Sequence, residues 1–174
     1  RELLLKLANE AYDENLESIN RDVVTGNLSK LNIFGFEHKE YVKFMNGMES
    51  YYDANMDLLN GEVRHQLLNK KRPIFTKTRD DMPTRYGTKS QVKNSLIADG
   101  CVIDGTVENC ILFRGVTVEK GANLKNCIIM QDTVISADAR LSCAILDKNC
   151  VICKGKELVG QPEFPIVVGK RRTI

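Results

Sequence analysis

The sequence predicts a mixed α/β segment followed by an all-β parallel β-helix, and three observations carry that prediction. Apolar residues recur at helical spacing near the start and again around 48–59. A stretch punctuated by Pro73, Pro83 and Gly87 follows. Beyond residue 92 the chain repeats itself at steps of 15, 17 and 17 residues.

In chain order, Leu3, Leu4, Leu7, Ala8 and Ala11 lie on one face of a helix over 1–15. The short apolar run Asn32-Ile-Phe-Gly-Phe36 reads as a strand, and a second helix is expected at about 48–59. These are too few elements to close an α/β core, so residues 1–69 read as the tail of an α/β domain. The first residue is Arg1 rather than Met, and the chain is expected to be the carboxy-terminal part of something longer. Residues 70–91 read as an extended linker, leaving 92–174 as the solenoid domain.

The repeat is visible as Val92-Lys-Asn-Ser-Leu-Ile97, Val107-Glu-Asn-Cys-Ile-Leu112, Leu124-Lys-Asn-Cys-Ile-Ile129 and Leu141-Ser-Cys-Ala-Ile-Leu146. A second block ends on Ile103, Val118, Ile135 and Ile152 at the same steps. β-branched pairs alternate with turn formers such as Asp99-Gly100 and Arg114-Gly115, so short strands joined by tight corners follow. A unit this short cannot bury its own apolar face. Successive units must stack, with Ile97, Ile103, Val118 and Ile135 as internal ladders. Blocks near six residues, three to a turn, are of the hexapeptide type.

Composition excludes several classes. The chain is 43% hydrophobic and 28% charged, which suits a folded protein rather than a disordered one. Its 25 Lys and Arg against 23 Asp and Glu give a net charge of +2, without the basic stripe of a nucleic-acid binder. No apolar run approaches the ~18 residues of a membrane span. Of the six cysteines, only Cys150 and Cys153 form a CxxC, and it lacks a second pair. Cysteines stand at repeat positions that elsewhere hold Ser or Ala, so they are expected as small buried residues of a reduced, cytoplasmic protein. Both histidines, His38 and His65, lie outside the repeat. That argues against an acyltransferase base or a zinc site built from the coils.

Residues 92–155 resemble the left-handed hexapeptide-repeat β-helices, whose members commonly trimerise or serve as assembly domains. A closer likeness spans nearly the whole chain. Asn20-Arg-Asp-Val-Val24, Phe34-Gly-Phe36, Glu49-Ser-Tyr-Tyr-Asp-Ala-Asn-Met-Asp-Leu-Leu59, Arg72-Pro-Ile-Phe-Thr-Lys-Thr-Arg79 and Pro165-Ile-Val-Val-Gly-Lys170 resemble segments of bacterial glucose-1-phosphate adenylyltransferase (ADP-glucose pyrophosphorylase). The resemblance implies the end of a nucleotidyltransferase α/β domain followed by a left-handed β-helix.

In catalytic members the stretch before Glu49 reads roughly Trp, any residue, Asp, Val, Gly, Thr, and the Asp helps hold Mg²⁺. Here Phe44 stands at that place. A phenyl ring cannot coordinate Mg²⁺, and an ordinary Phe packed on a strand is the expectation for it. The Gly-rich loop with which the family cradles ATP phosphates precedes the residues given. The pattern is similar to the non-catalytic, regulatory D-type subunit. It implies assembly and allosteric modulation in glycogen synthesis, no catalytic residue and no metal in this part, and Mg²⁺ in the parent catalytic complex. The implied partners are the catalytic subunit, further copies of the chain and anionic metabolites, with no nucleic acid and no membrane.

Two basic clusters are candidates for an anionic effector: Lys70-Lys71-Arg72 with Lys77 and Arg79 in the linker, and Lys170, Arg171 and Arg172 at the end. Charged loop residues are ordinarily solvated. The resemblance adds weight to both clusters, because the family is regulated by anionic metabolites and Lys170 follows Ile-Val-Val-Gly as its activator lysine does. Two competing readings remain: a catalytically active sugar-1-phosphate nucleotidyltransferase with an unusual metal site, and a hexapeptide acyltransferase.

Overall fold

The computed structural model describes residues 1–174 and divides into two units, Arg1–Lys39 and Glu40–Ile174. In the first unit, helix α1 (Glu2–Asp13) half-buries Leu7 and Ala11. A wide helical turn, Ile19–Val24, continues into a tighter one, Thr25–Asn27. Its start is held by side chains. Ser18 Oγ accepts from the Arg21 amide at 3.2 Å, and the Asp22 carboxylate accepts from the Ser18 amide at 3.0 Å and from Arg21 Nε at 2.6 Å. The Arg21 hydrogen bond is the main reason the Asp22 carboxyl is held down to about 2.

Residues 32–36 do not form the expected strand. Phe34 and Phe36 are 87% and 90% exposed. A strand needs a neighbour to satisfy its amides, and no strand lies within the first unit to provide one.

In the second unit, α2 (Met48–Asp57) begins where Ser50 Oγ accepts from the amides of Asn46 and Gly47, both at 3.0 Å. A short helix not expected from periodicity, α3 (Gly61–Leu67), follows at once. Its signal is Asn60, whose side chain accepts from the Glu62 amide at 2.9 Å.

The solenoid then climbs in five rungs. They are β1 (Arg85–Tyr86), β2 (Gln91–Lys93) and β3 (Leu96–Ile97); β4 (Val102–Ile103), β5 (Thr106–Glu108) and β6 (Ile111–Leu112); β7 (Thr117–Val118), β8 (Asn123–Lys125) and β9 (Ile128–Ile129); β10 (Val134–Ile135), β11 (Arg140–Ser142) and β12 (Ala144–Leu146); and β13 (Val151–Ile152), β14 (Glu157–Val159) and β15 (Ile166–Val168). Every third strand stacks in parallel. The result is three five-stranded sheets, β1-β4-β7-β10-β13, β2-β5-β8-β11-β14 and β3-β6-β9-β12-β15. This is the hexapeptide-repeat β-helix read from the sequence. Its first strand lies inside the stretch read as linker, where the Arg85 amide donates to the Cys101 carbonyl at 2.9 Å.

Register explains the repeat steps. Val102, Thr117, Val134 and Val151 are partners, as are Val92, Val107, Leu124, Leu141 and Leu158. Inward ladders such as Ile103-Val118-Ile135-Ile152 and Leu112-Ile129-Leu146 are almost fully buried. Five of the six cysteines are buried too. Cys110 and Cys127 share a ladder position with Ser95 and Ala144, as the repeat implies.

The corners turn through the left-handed region, which favours Gly, Asn and Asp. One corner uses Asn94, Asn109, Asn126 and Cys143 at φ of 44°, 51°, 53° and 48°. Asn94 Nδ2 there donates to Asn109 Oδ1 at 2.8 Å, linking two rungs.

One sheet is apolar on its outer face as well. Ile128 and Ile145 point outward yet are buried, because Tyr52 of α2 packs on them with Tyr51, Met56, Phe113 and Met130 around it. Tyr52 Oη donates to the Asn126 carbonyl at 2.8 Å. The apolar and aromatic residues of the 49–59 motif thus dock the helix on the coil.

Two outcomes follow. Ile129→Ala should cost about 2–5 kcal/mol in urea unfolding, since it empties one step of a sealed ladder. Tyr52→Phe should cost about 1 kcal/mol through the lost hydrogen bond. Burial pushes the Tyr52 phenol up, with a smaller upward push from Cys143. The folded state therefore holds that proton more tightly than the unfolded chain does. Its contribution is whole below about pH 10 and is lost as pH climbs toward the folded value. Absorbance of ionised tyrosine should show one phenol that titrates only as the near-UV dichroism of the fold collapses.

Candidate functional site

The corner after the third sheet carries Asp99, Arg114, Gln131, Lys148 and Lys170 on successive rungs. Rung-to-rung hydrogen bonds fix this order: Gly115 amide to Asp99 carbonyl at 3.2 Å, Asp132 to Arg114 at 3.0 Å, Asn149 to Gln131 at 2.9 Å and Arg171 to Lys148 at 3.0 Å. Neighbouring rungs lie ~4.8 Å apart. Arg114, Lys148 and Lys170 therefore stand on one line, with the neutral Gln131 between the first two.

The strap of residues 76–82 runs beside this line. Arg114 Nη1 donates to the Lys77 carbonyl at 3.2 Å, and the Gly100 amide donates to the Met82 carbonyl at 2.6 Å. Between strap and coil lies a groove of about 830 Å³ lined by Lys77, Arg79, Phe113, Arg114, Gln131 and Lys148. The cations outnumber the acids there, so the groove suits a small anion.

Of the residues singled out by sequence, Lys77 and Arg79 are brought to this groove. The Arg79 guanidinium is already engaged by Asp132 and Asp81, and the Asp132 bond is the main cause that raises its already high pKa. Lys170 continues the corner line one rung on, and Arg171 takes the left-handed corner position at φ 58°. Arg172 is tied by its carbonyl, which accepts from the Val151 amide at 2.8 Å, and its side chain is exposed. Sequence reading missed Arg114, Gln131 and Lys148. Their signal was present, since the steps of 17 that align the ladders also align Arg114, Gln131 and Lys148.

Phe44 is not packed on a strand. It is 83% exposed, and residues 41–46 have no strand partner. Three carboxylates of this region are otherwise employed: Asp57 accepts from Tyr41 Oη at 2.7 Å and Lys43 Nζ at 3.1 Å, Asp53 lies 3.9 Å from Lys43, and Glu40 accepts from Arg72 Nη2 at 2.8 Å. Burial, and then the Asp57 hydrogen bond, push the Tyr41 phenol up to about 12. His38 and His65 are exposed and outside the coils.

Comparison with known proteins agrees with the fold. The family described as GlmU-like, C-terminal hexapeptide, matches residues 80–163. The chain is 49% identical over 150 residues to the glycogen biosynthesis protein GlgD of Bacillus subtilis (strain 168), covering 86% of this chain and 44% of that protein. It is 52% identical over 69 residues to GlgD of Geobacillus stearothermophilus, covering 40% of this chain and 20% of that protein. It is 39% identical over 93 residues to glucose-1-phosphate adenylyltransferase of Bacillus mycoides (strain KBAB4), covering 53% of this chain and 24% of the enzyme. The chain thus spans less than half the length of these curated relatives. No helix is long and apolar enough to cross a membrane. The chain is thus similar to the GlgD glycogen biosynthesis proteins and to the glucose-1-phosphate adenylyltransferases, and its coils match the hexapeptide-repeat model.

Proposed function

We propose that this chain belongs to a regulatory and assembly subunit of glucose-1-phosphate adenylyltransferase, acting in the cytoplasm in glycogen synthesis. In the assembled enzyme, a catalytic partner converts ATP and glucose 1-phosphate into ADP-glucose and pyrophosphate. The observation that carries this reading is the basic line Arg114, Lys148 and Lys170 with Lys77 strapped over it, a site for an anion rather than for bond chemistry. Phe44 supports it from the other side. A phenyl ring offers no oxygen at the place of the family's metal carboxylate, so Mg²⁺ is assigned to the catalytic partner.

An anion seated between Lys77, Arg114 and Lys148 bridges the strap and the coil, with Lys170 one rung away and Arg171 and Arg172 adding to the local potential. Binding there stiffens the strap against the coil. A partner subunit that contacts the strap or the solenoid would feel that change as a shift in its own equilibrium, because two sites are coupled only through states that both bias. The solenoid also leaves sheet edges at its two ends, which a second copy or the catalytic subunit can cover.

The test is adenylyltransfer by the whole protein, alone and mixed with the catalytic subunit, with and without phosphorylated sugars. The expected outcome is no turnover alone and a changed rate or effector response in the mixture. Turnover by the protein alone contradicts the reading and revives an active enzyme with another metal site. In the mixture, Lys148→Ala should raise the effector concentration for half response about tenfold, as loss of one charge-assisted contact implies, while the rate without effector stays the same.

A further inference from the structure

Arg79 sits among the groove's cations, yet its donors are spent on the protein itself. Nη1 and Nη2 reach the two oxygens of Asp132 at 3.1 and 3.0 Å, and Nε reaches Asp81 Oδ1 at 2.9 Å. One positive charge thus faces two carboxylates, so an incoming anion meets no net attraction at this point. The corner beneath is bare to admit the contact. A Cβ on Gly115 would collide with Asp132 Oδ1 and stand 3.5 Å from Arg79 Nη2, and a Cβ on Gly100 would stand 3.1 Å from Asp81 Cβ. Both glycines hold left-handed φ, 71° and 78°. The other ties of the strap, at Lys77 and Met82, go through its main-chain carbonyls. The Arg79–Asp132 fork is the side-chain tie between them, joining residues 53 apart in sequence.

We propose that Arg79 is a positioning residue and not an anion ligand: its fork to Asp132, steadied by Asp81, latches the strap onto the Gly100–Gly115 corner and so holds Lys77 over Arg114 and Lys148. This rests on reading the groove as an anion site. Two-point attachment matters because a single exposed ion pair is weak, whereas a planar fork fixes orientation as well as distance. Both partners are nearly half exposed, at 44% and 43%, so the latch yields to salt and closes reversibly.

Limited trypsin digestion of the whole protein tests this, following cleavage after Lys77 as inorganic phosphate is raised at constant ionic strength. Without phosphate, Asp132→Asn and Arg79→Ala should each speed that cleavage about threefold, the size expected for an exposed pair, and the double variant should be no faster than either. The phosphate concentration that half protects should rise about threefold in each, again without a further rise in the double variant. Asp132→Glu, which keeps the carboxylate, should restore most of both effects.

Opposite signs overturn the proposal. If Arg79 binds the anion, Asp132→Asn frees the guanidinium and tightens phosphate while Arg79→Ala weakens it. Unchanged cleavage in both variants also overturns it. Should phosphate protect none of the proteins, the anion site itself fails, and cleavage without phosphate still decides whether the latch exists.

Discussion

The structure depends on in-register stacking of short parallel strands. Each rung is too small to bury its own side chains, and it acquires a core only because the rung above presents the same residue type at the same place. That demand reaches the backbone at the corners. Two residues after each Val or Leu of the second sheet's blocks the chain must turn sharply, and Asn109 and Asn126 do this at positive φ where a β-branched residue would be strained. Where the last rung is longer, the extra residues form a small excursion pinned by the Gln161–Phe164 bridge, after which Ile166–Val168 return to the ladder opposite Ala144–Leu146. Because the excursion closes on itself, Lys170 falls back onto the corner line.

The same constraint creates the candidate site. A solenoid corner repeats side chains at a fixed spacing, so two cations placed at equivalent positions are held apart by whole rungs without any dedicated framework. Arg114 and Lys148 are two rungs apart, and the neutral Gln131 on the rung between them keeps those two like charges from being adjacent. The strap completes the groove from outside, and Gly100 and Gly115 are small because it lies against them.

The solenoid was legible because burial forces periodicity. Val107, Leu124 and Leu141 announce the ladders directly, and the alternation of Cys110 and Cys127 with Ser95 and Ala144 announces their small size. The first unit was less legible. An apolar run such as 32–36 signals a strand only when a partner exists, and nothing in the run says whether one does. Helix α3 escaped because its signal is a cap at Asn60 rather than an apolar stripe. Phe44 was recognised at its position by resemblance, but exposure depends on neighbours that sequence spacing does not name. The candidate anion-binding residues divided along similar lines. Lys77, Arg79 and Lys170 stood out as charge clusters, while Arg114 and Lys148 sit alone in sequence and become neighbours of the strap only when the coil is wound. That Arg79 is taken up by Asp132 is a tertiary fact with no local signature.

The account stands on an anion resting at the corner line under the strap. The most direct measurement is a crystal structure of the protein grown with tungstate, an anion whose anomalous scattering marks its own position. The account predicts a peak in contact with Lys77, Arg114 and Lys148, with the Arg79–Asp132 fork intact beside it. A peak lodged elsewhere on the protein, or an Arg79 drawn off Asp132 onto the anion, would contradict it.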